Sequence, residues 1–175
     1  MNDAVLPVES PLFGSSSASA AARWLALLVP LGLLGGALFS QYVGHLWPCE
    51  MCWWQRYPHA AAIALTGMAF FFAAESRNAR LLVWLAALGI AISGAIGVYH
   101  AGVEAHVFKG FTTCSTMASG TSAQDLLKQI MKVPLIQCDQ VQWRFLGLSL
   151  AAWNAIISLP SALLIGLLLG RRRAA

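Results

Sequence analysis

Cys49 and Cys52 are separated by two residues in the stretch Trp47-Pro-Cys-Glu-Met-Cys-Trp-Trp-Gln-Arg-Tyr-Pro-His59, with Arg56 four positions after the second cysteine. A C-x-x-C pair can close a small, reversible disulfide, and the thiolate is the form that attacks or binds a metal. Pro48 favours an extended or turn entry to the pair. Cys52 then falls near the positive end of a following helix, where a thiolate is stabilised. Arg56 lies about one helical turn deeper and can supply a fixed positive charge. Pro58 leaves two geometries open, a helix that kinks there and one that begins there. Redox work or metal binding suits this arrangement; two buried cysteines at a helix start are the plain alternative.

A second pair, Cys114 and Cys138, sits far downstream. A disulfide between them would close a loop of about 25 residues and contribute roughly 3.5 kcal/mol in the chain-entropy description. A structural staple is the simpler reading of that pair alone. Beside a redox-type C-x-x-C on the same side, exchange between the two pairs through thiolate attack is the better one. The electrons must then leave. The sequence carries no iron–sulfur or nucleotide-binding pattern, and an acceptor embedded in a bilayer is a quinone. Arg56 can hold Cys52 as thiolate and hydrogen-bond a quinone carbonyl, and His100 can act in the same way. Two rivals remain: a haem held by His59 and His100, and a zinc ion for which Cys49 and Cys52 have ligand spacing while the second pair does not. A purely structural membrane-assembly protein is a third.

The elements that must position these residues are apolar. The chain of 175 residues is 58% hydrophobic and 10% charged, with a mean hydropathy of +0.67. That is too little charge for a soluble surface, and several runs are long enough to span a bilayer. The net charge of +4 is no nucleic-acid footprint, because the arginines cluster at the ends of apolar runs. Four spans are expected at about 24–43, 53–74, 81–99 and 145–169, with one long connection at 100–144. Residues 1–22, rich in Ser, Ala and Pro, lack a basic start, so they read as a flexible tail and not as a signal peptide. Gly32/Gly36, Gly89/Ser93 and Ser93/Gly97 have the small-residue spacing that lets helices approach closely. Within the long connection, Ser122 to Asp125 reads as a capping-box variant ahead of Leu126, Leu127, Ile130 and Met131, so a short helix is expected there, lying on the membrane surface or packed on the bundle. The expected fold is an all-α membrane protein, a four-helix bundle with a long periplasmic loop.

Four spans put both termini on one side, with Arg23, Arg77, Arg80 and Arg171 to Arg173. Arg56, Lys109, Lys128, Lys132 and Arg144 fall on the other. The balance favours cytoplasmic termini once the long loop is discounted. All four cysteines lie opposite the termini, on the side where working disulfides belong. Tyr42, Trp47, Trp53, Trp54, Tyr57, Tyr99 and Trp143 gather at the same ends, as an interfacial belt does.

Pro48 to His59, Val98-Tyr-His-Ala-Gly-Val-Glu104 and Cys138-Asp-Gln-Val-Gln-Trp-Arg-Phe-Leu-Gly-Leu-Ser-Leu-Ala-Ala-Trp-Asn154 together resemble the DsbB family of bacterial inner-membrane thiol oxidases. The resemblance runs from the second span to the fourth. It implies an enzyme, a protein-dithiol:quinone oxidoreductase that reoxidises a periplasmic DsbA-like protein of thioredoxin fold and passes electrons to ubiquinone or menaquinone, the chain that keeps a bacterial periplasm oxidising. By that resemblance Cys49 and Cys52 are the quinone-linked pair, with Cys52 facing the quinone. Arg56 matches the family's essential arginine, and His100 is similar to a family histidine near the quinone. Cys114 and Cys138 match the loop pair, with Cys114 attacked by the reduced partner. The vitamin K epoxide reductase type also joins four spans, two cysteine pairs and a quinone, but it carries its C-x-x-C after the loop pair.

Overall fold

A computed structural model describes residues 15–110 and 137–170. Cys114, the expected surface helix and Arg171 to Arg173 lie outside the described residues. Four helices account for nearly all of the rest: α1 (Ser15–Tyr42), α2 (Glu50–Ala69), α3 (Arg77–Glu104) and α4 (Leu150–Gly170). Two short antiparallel strands, β1 (Arg144–Phe145) and β2 (Leu148–Ser149), precede α4.

Helices α1, α3 and α4 are long and apolar enough to cross a membrane, and the chain is a multi-pass, all-α membrane protein. Helix α2 is more polar because it carries Gln55, Arg56, His59 and Thr66, and all four are buried against its neighbours. The outward faces are the apolar ones: Trp24, Leu28, Phe39, Trp84, Leu88 and Leu163 are exposed, as they must be where lipid is the solvent. The inner seam is built of small residues. Ala22, Ala26, Ala62, Ala69, Ala86 and Ala87 pack with Val83, Ile90 and Ile165, so association rests on close backbone approach rather than on large side chains.

Helix α3 packs against both α2 and α4, and its small residues set those distances. A Cβ added at Gly89 would lie 3.1 Å from the Pro58 carbonyl oxygen, and one at Gly97 only 2.9 Å from that of Ala151. Gly32 and Gly36 behave differently from the expected packing face. Nothing lies within 4 Å of a Cβ at either position, and both line a cavity between α1, α2 and α4. There the missing side chains leave room instead of admitting a neighbour.

The boundaries differ from the hydropathy reading at several points; α3 runs Arg77–Glu104 against the expected 81–99, so His100 lies on the helix and not in the long connection. Helix α1 begins at Ser15, inside the expected tail, because the run Ser17 to Ala22 is rich in the best helix former and buries Ala18, Ser19 and Ala22. Helix α2 ends at Ala69 although the apolar run continues. The Arg23 guanidinium donates to the carbonyls of Ala69 (3.3 Å) and Phe72 (3.1 Å), satisfying the open end. The fourth run does not start as helix at Phe145. Leu146 and Gly147 take positive φ values of 50° and 82°, a tight turn that pairs β1 with β2. Ser149 then caps α4, its Oγ accepting from the Ala152 amide at 3.2 Å. Pro58 lies inside α2, so the one-turn relation between Cys52 and Arg56 holds.

Candidate functional site

Pro48 brings the chain into α2 in extended form, and Cys49 (φ −75°, ψ 174°) is the N-cap. Its sulfur does what a serine oxygen does at other helix starts, accepting from the Cys52 amide at 3.3 Å. The same turn sets the two Sγ atoms 3.0 Å apart, both as free thiols. Cys49 is buried and Cys52 half-buried.

Cys138, returned from the long connection, is buried with Cys49, Met51 and Val103, and Cys52 and Tyr99 pack on that cluster. Hydrogen bonding to Cys138, then to Cys52, and then burial push the Cys49 thiol well above the ordinary cysteine range. Three of the four sequence-predicted cysteines therefore meet at the start of α2. Gln142, two residues before β1, donates to the Trp47 carbonyl at 2.6 Å and so ties this segment to the loop carrying the C-x-x-C pair.

Arg56 is buried at 8% exposure. It is held by α1: one guanidinium nitrogen donates to Gln41 Oε1 and the other to the Ala37 carbonyl at 3.0 Å. Its carbon stands 5.0 Å from the centre of the Trp53 ring. Such partners are what a buried guanidinium requires. Gln41, one of the few polar residues near the end of the first apolar run, was not singled out from the sequence.

Two hollows meet at Cys52 and Arg56. The larger, about 530 Å³, has apolar walls that include Leu33, Phe39, Leu46, Trp143 and Trp153, and polar groups from Cys52, Gln55, Arg56, His59 and Asn154. It falls in the size range of small-molecule sites. The smaller, about 70 Å³, is lined by Cys49, Cys52, Arg56, His100, Glu104 and Gln140. Cys49 lines only the small cleft, whereas Cys52 and Arg56 line both.

His100, expected at the quinone, lines the small cleft and not the large cavity. Its Nε2 lies 3.5 Å from Cys49 Sγ and 3.7 Å from Glu104 Oε1. Its Nδ1 lies 2.8 Å from Gln55 Nε2. Behind it runs a polar network that the sequence reading missed. Asn154 Nδ2 donates to Gln55 Oε1 (2.8 Å) and to Ser93 O and Oγ (both 3.1 Å). Asn154 Oδ1 faces His59 Nε2 and accepts from Ser158 Oγ, both at 2.9 Å. The available signal was the presence of Gln55, His59, Ser93 and Asn154 within apolar runs, where a polar side chain needs a partner or a task. His59 and His100, the candidate haem pair, are both bound into this network.

Residues 19–168 match the family described as Disulfide bond formation protein DsbB. Among curated relatives, a Disulfide bond formation protein B from Shewanella sp. (strain MR-4) is 32% identical over 154 residues, covering 85% of each chain. One from Xylella fastidiosa (strain 9a5c) is 31% identical over 151 residues, 79% of this chain and 82% of the relative. One from Marinobacter nauticus is 29% identical over 149 residues, 77% and 83%. No solved structure gives a significant match.

Proposed function

Since the chain belongs to the DsbB family, we propose that it oxidises the dithiol of a periplasmic DsbA-like protein and delivers the electrons to a membrane quinone. In this reading α2 is the fourth crossing, its polar face turned inward. Both termini are cytoplasmic, the cysteines are periplasmic, and the membrane is the bacterial inner one.

The observation that carries the reading is the placement of Cys52. On one side it touches Cys49, against which Cys138 is packed, and on the other it lines the apolar cavity beside Arg56. The cavity suits a quinone: apolar walls for the ring and tail, the Arg56 guanidinium for a carbonyl oxygen, and a thiol on the wall. A quinone bound there supplies an acceptor for two electrons and two protons.

The cysteines do the rest by exchange. A partner thiolate attacks Cys114, breaking Cys114–Cys138 and leaving the electron pair on Cys138. In the oxidised enzyme, where Cys49 and Cys52 are joined, Cys138 attacks Cys49, forming Cys49–Cys138, breaking Cys49–Cys52 and expelling Cys52 as a thiolate. The helix start and Arg56 hold that charge. The partner's second thiol resolves its bond to Cys114, and the freed Cys114 attacks Cys138, expelling Cys49. The partner dithiol has become a disulfide, Cys114–Cys138 is restored, and two electrons rest on Cys49 and Cys52.

Arg56 separates the two halves experimentally. Arg56→Lys keeps the charge but loses the planar fork that serves Gln41, Ala37 and a ligand oxygen together, so apparent quinone affinity should weaken. Arg56→Met should slow quinone reduction further. Single-turnover exchange between the partner dithiol and Cys114–Cys138 should be spared in both variants. Equal loss in both half-reactions would make Arg56 structural, and no loss in either would place the quinone elsewhere.

A further inference from the structure

We propose that His100 is a fixed hydrogen-bond donor to Cys49, its Nε2–H stabilising the thiolate expelled when Cys49–Cys138 is resolved, with its tautomer set from α4 through Asn154 and Gln55. The inference rests on the exchange sequence proposed above.

The direction of each hydrogen bond follows from one backbone carbonyl. Ser93 O can only accept, so the Asn154 atom 3.1 Å from it is the amide nitrogen. That nitrogen also donates to Gln55 Oε1 at 2.8 Å. The other end of the Gln55 amide is then its nitrogen, which donates to the Met51 carbonyl at 3.2 Å and reaches His100 Nδ1 at 2.8 Å. Facing a donor, Nδ1 must present its lone pair. The ring proton of the neutral imidazole is therefore on Nε2, the atom 3.5 Å from Cys49 Sγ. His100, Gln55 and Asn154 are 3%, 7% and 8% exposed, so water has little room to reverse the order.

This polarity decides between two uses of one cluster. Ligand atoms of Cys49, Cys52 and His100 lie within 4.8 Å of one another, a plausible cradle for a metal ion. A metal would need the Nε2 lone pair, and moving the proton to Nδ1 would set an N–H against the Gln55 N–H. The network thus makes His100 a donor to sulfur. When Cys114 attacks Cys138, the Cys114–Cys138 bond forms, the Cys138–Cys49 bond breaks and the electron pair stays on Cys49 Sγ. No proton moves in that step; Nε2–H keeps its proton and donates a hydrogen bond to the new charge. Among the described residues, the other titratable or charged groups around Cys49 are Cys52 and Arg56 from α2, Glu104 from α3, and Cys138. Among these only Arg56 carries a permanent positive charge, and it is held on the Cys52 side by α1.

Two measurements test this. In full-length protein labelled with ¹⁵N-histidine and reduced in detergent micelles, with the His100 signals identified by their loss in His100→Gln, the neutral ring should be the Nε2–H tautomer. An Nδ1–H tautomer would overturn the proposal. In the full chain with Cys52, Cys114 and Cys138 replaced by Ser, Cys49 alkylation should be followed against pH. His100→Ala should move its midpoint up by about one unit, about tenfold less thiolate below it, and His100→Gln, which can still donate, should recover part of that. An unmoved midpoint would reduce His100 to packing. Neither readout uses quinone or partner, so a failure of the relay would appear only in the half-reactions and not here.

Discussion

Asn154→Ala is the substitution that most directly tests whether the polar network holds the bundle together. The side chain joins α4 to Gln55 and His59 of α2 and to Ser93 of α3, and it accepts from Ser158 on its own helix. Its loss leaves Gln55 Oε1, His59 Nε2 and Ser158 Oγ without their hydrogen-bond partner, in residues that are 7%, 3% and 0% exposed. Three buried orphans would cost about 3–9 kcal/mol on the scale of soluble proteins, at about 1–3 kcal/mol each. Interhelical hydrogen bonds in membranes average only about 0.6 kcal/mol, because the separated helices find other partners, and that scale gives about 2 kcal/mol. The cavity left by the truncation adds to the lower figure. The expected loss is about 2–4 kcal/mol, read as a shift in the unfolding curve when purified protein in mixed micelles is titrated with a denaturing detergent. Asn154→Leu fills the volume but leaves the same orphans, so it should recover less than half of the loss. A full recovery by Leu, or an Ala loss under about 0.5 kcal/mol, would refute the argument that hydrogen bonding and not packing does the holding.

Gly97→Ala should cost about 1–3 kcal/mol by overpacking, since its Cβ would meet the Ala151 carbonyl at 2.9 Å and the Ala155 amide at 3.1 Å, both backbone; Gly32→Ala, with nothing within 4 Å, should leave the unfolding curve in place and narrow the cavity, weakening apparent quinone affinity. Cys138→Ala removes the strongest influence raising the Cys49 pKa, so in reduced protein Cys49 should alkylate faster at a given pH, and during turnover Cys114 should be trapped as a mixed disulfide with the thioredoxin-fold partner. An adduct that maps to Cys49 and never to Cys114 would reverse the order of the relay. Membrane-impermeant thiol reagents applied to reduced spheroplasts should label Cys114; labelling only after the membrane is opened would overturn the orientation.

Much of the protein was legible in its sequence because much of its structure is local. A helix satisfies its backbone within four residues, so an uncharged apolar run of about twenty residues announces a span without reference to its neighbours. The C-x-x-C pair and Arg56 keep their one-turn relation for the same reason, and Gly89, Ser93 and Gly97 mark a packing stripe because a helix repeats every three or four positions. The Leu146-Gly147 turn was legible too in principle, yet its apolar neighbours hid it in the hydropathy of the fourth run.

Tertiary structure decided what no local rule reaches: how each helix is rotated about its axis, and so which buried polar groups meet. Gly32 and Gly36 have the spacing of a packing face, but the rotation of α1 turns them to a cavity. His100 sits 45 residues from Gln55 and 51 from Cys49, and Asn154 is 99 from Gln55; nothing in their spacing says they touch. Once those rotations are set, a buried donor cannot wait for water and must take the acceptor it faces. That requirement, acting across three helices, puts a proton on one particular nitrogen beside Cys49.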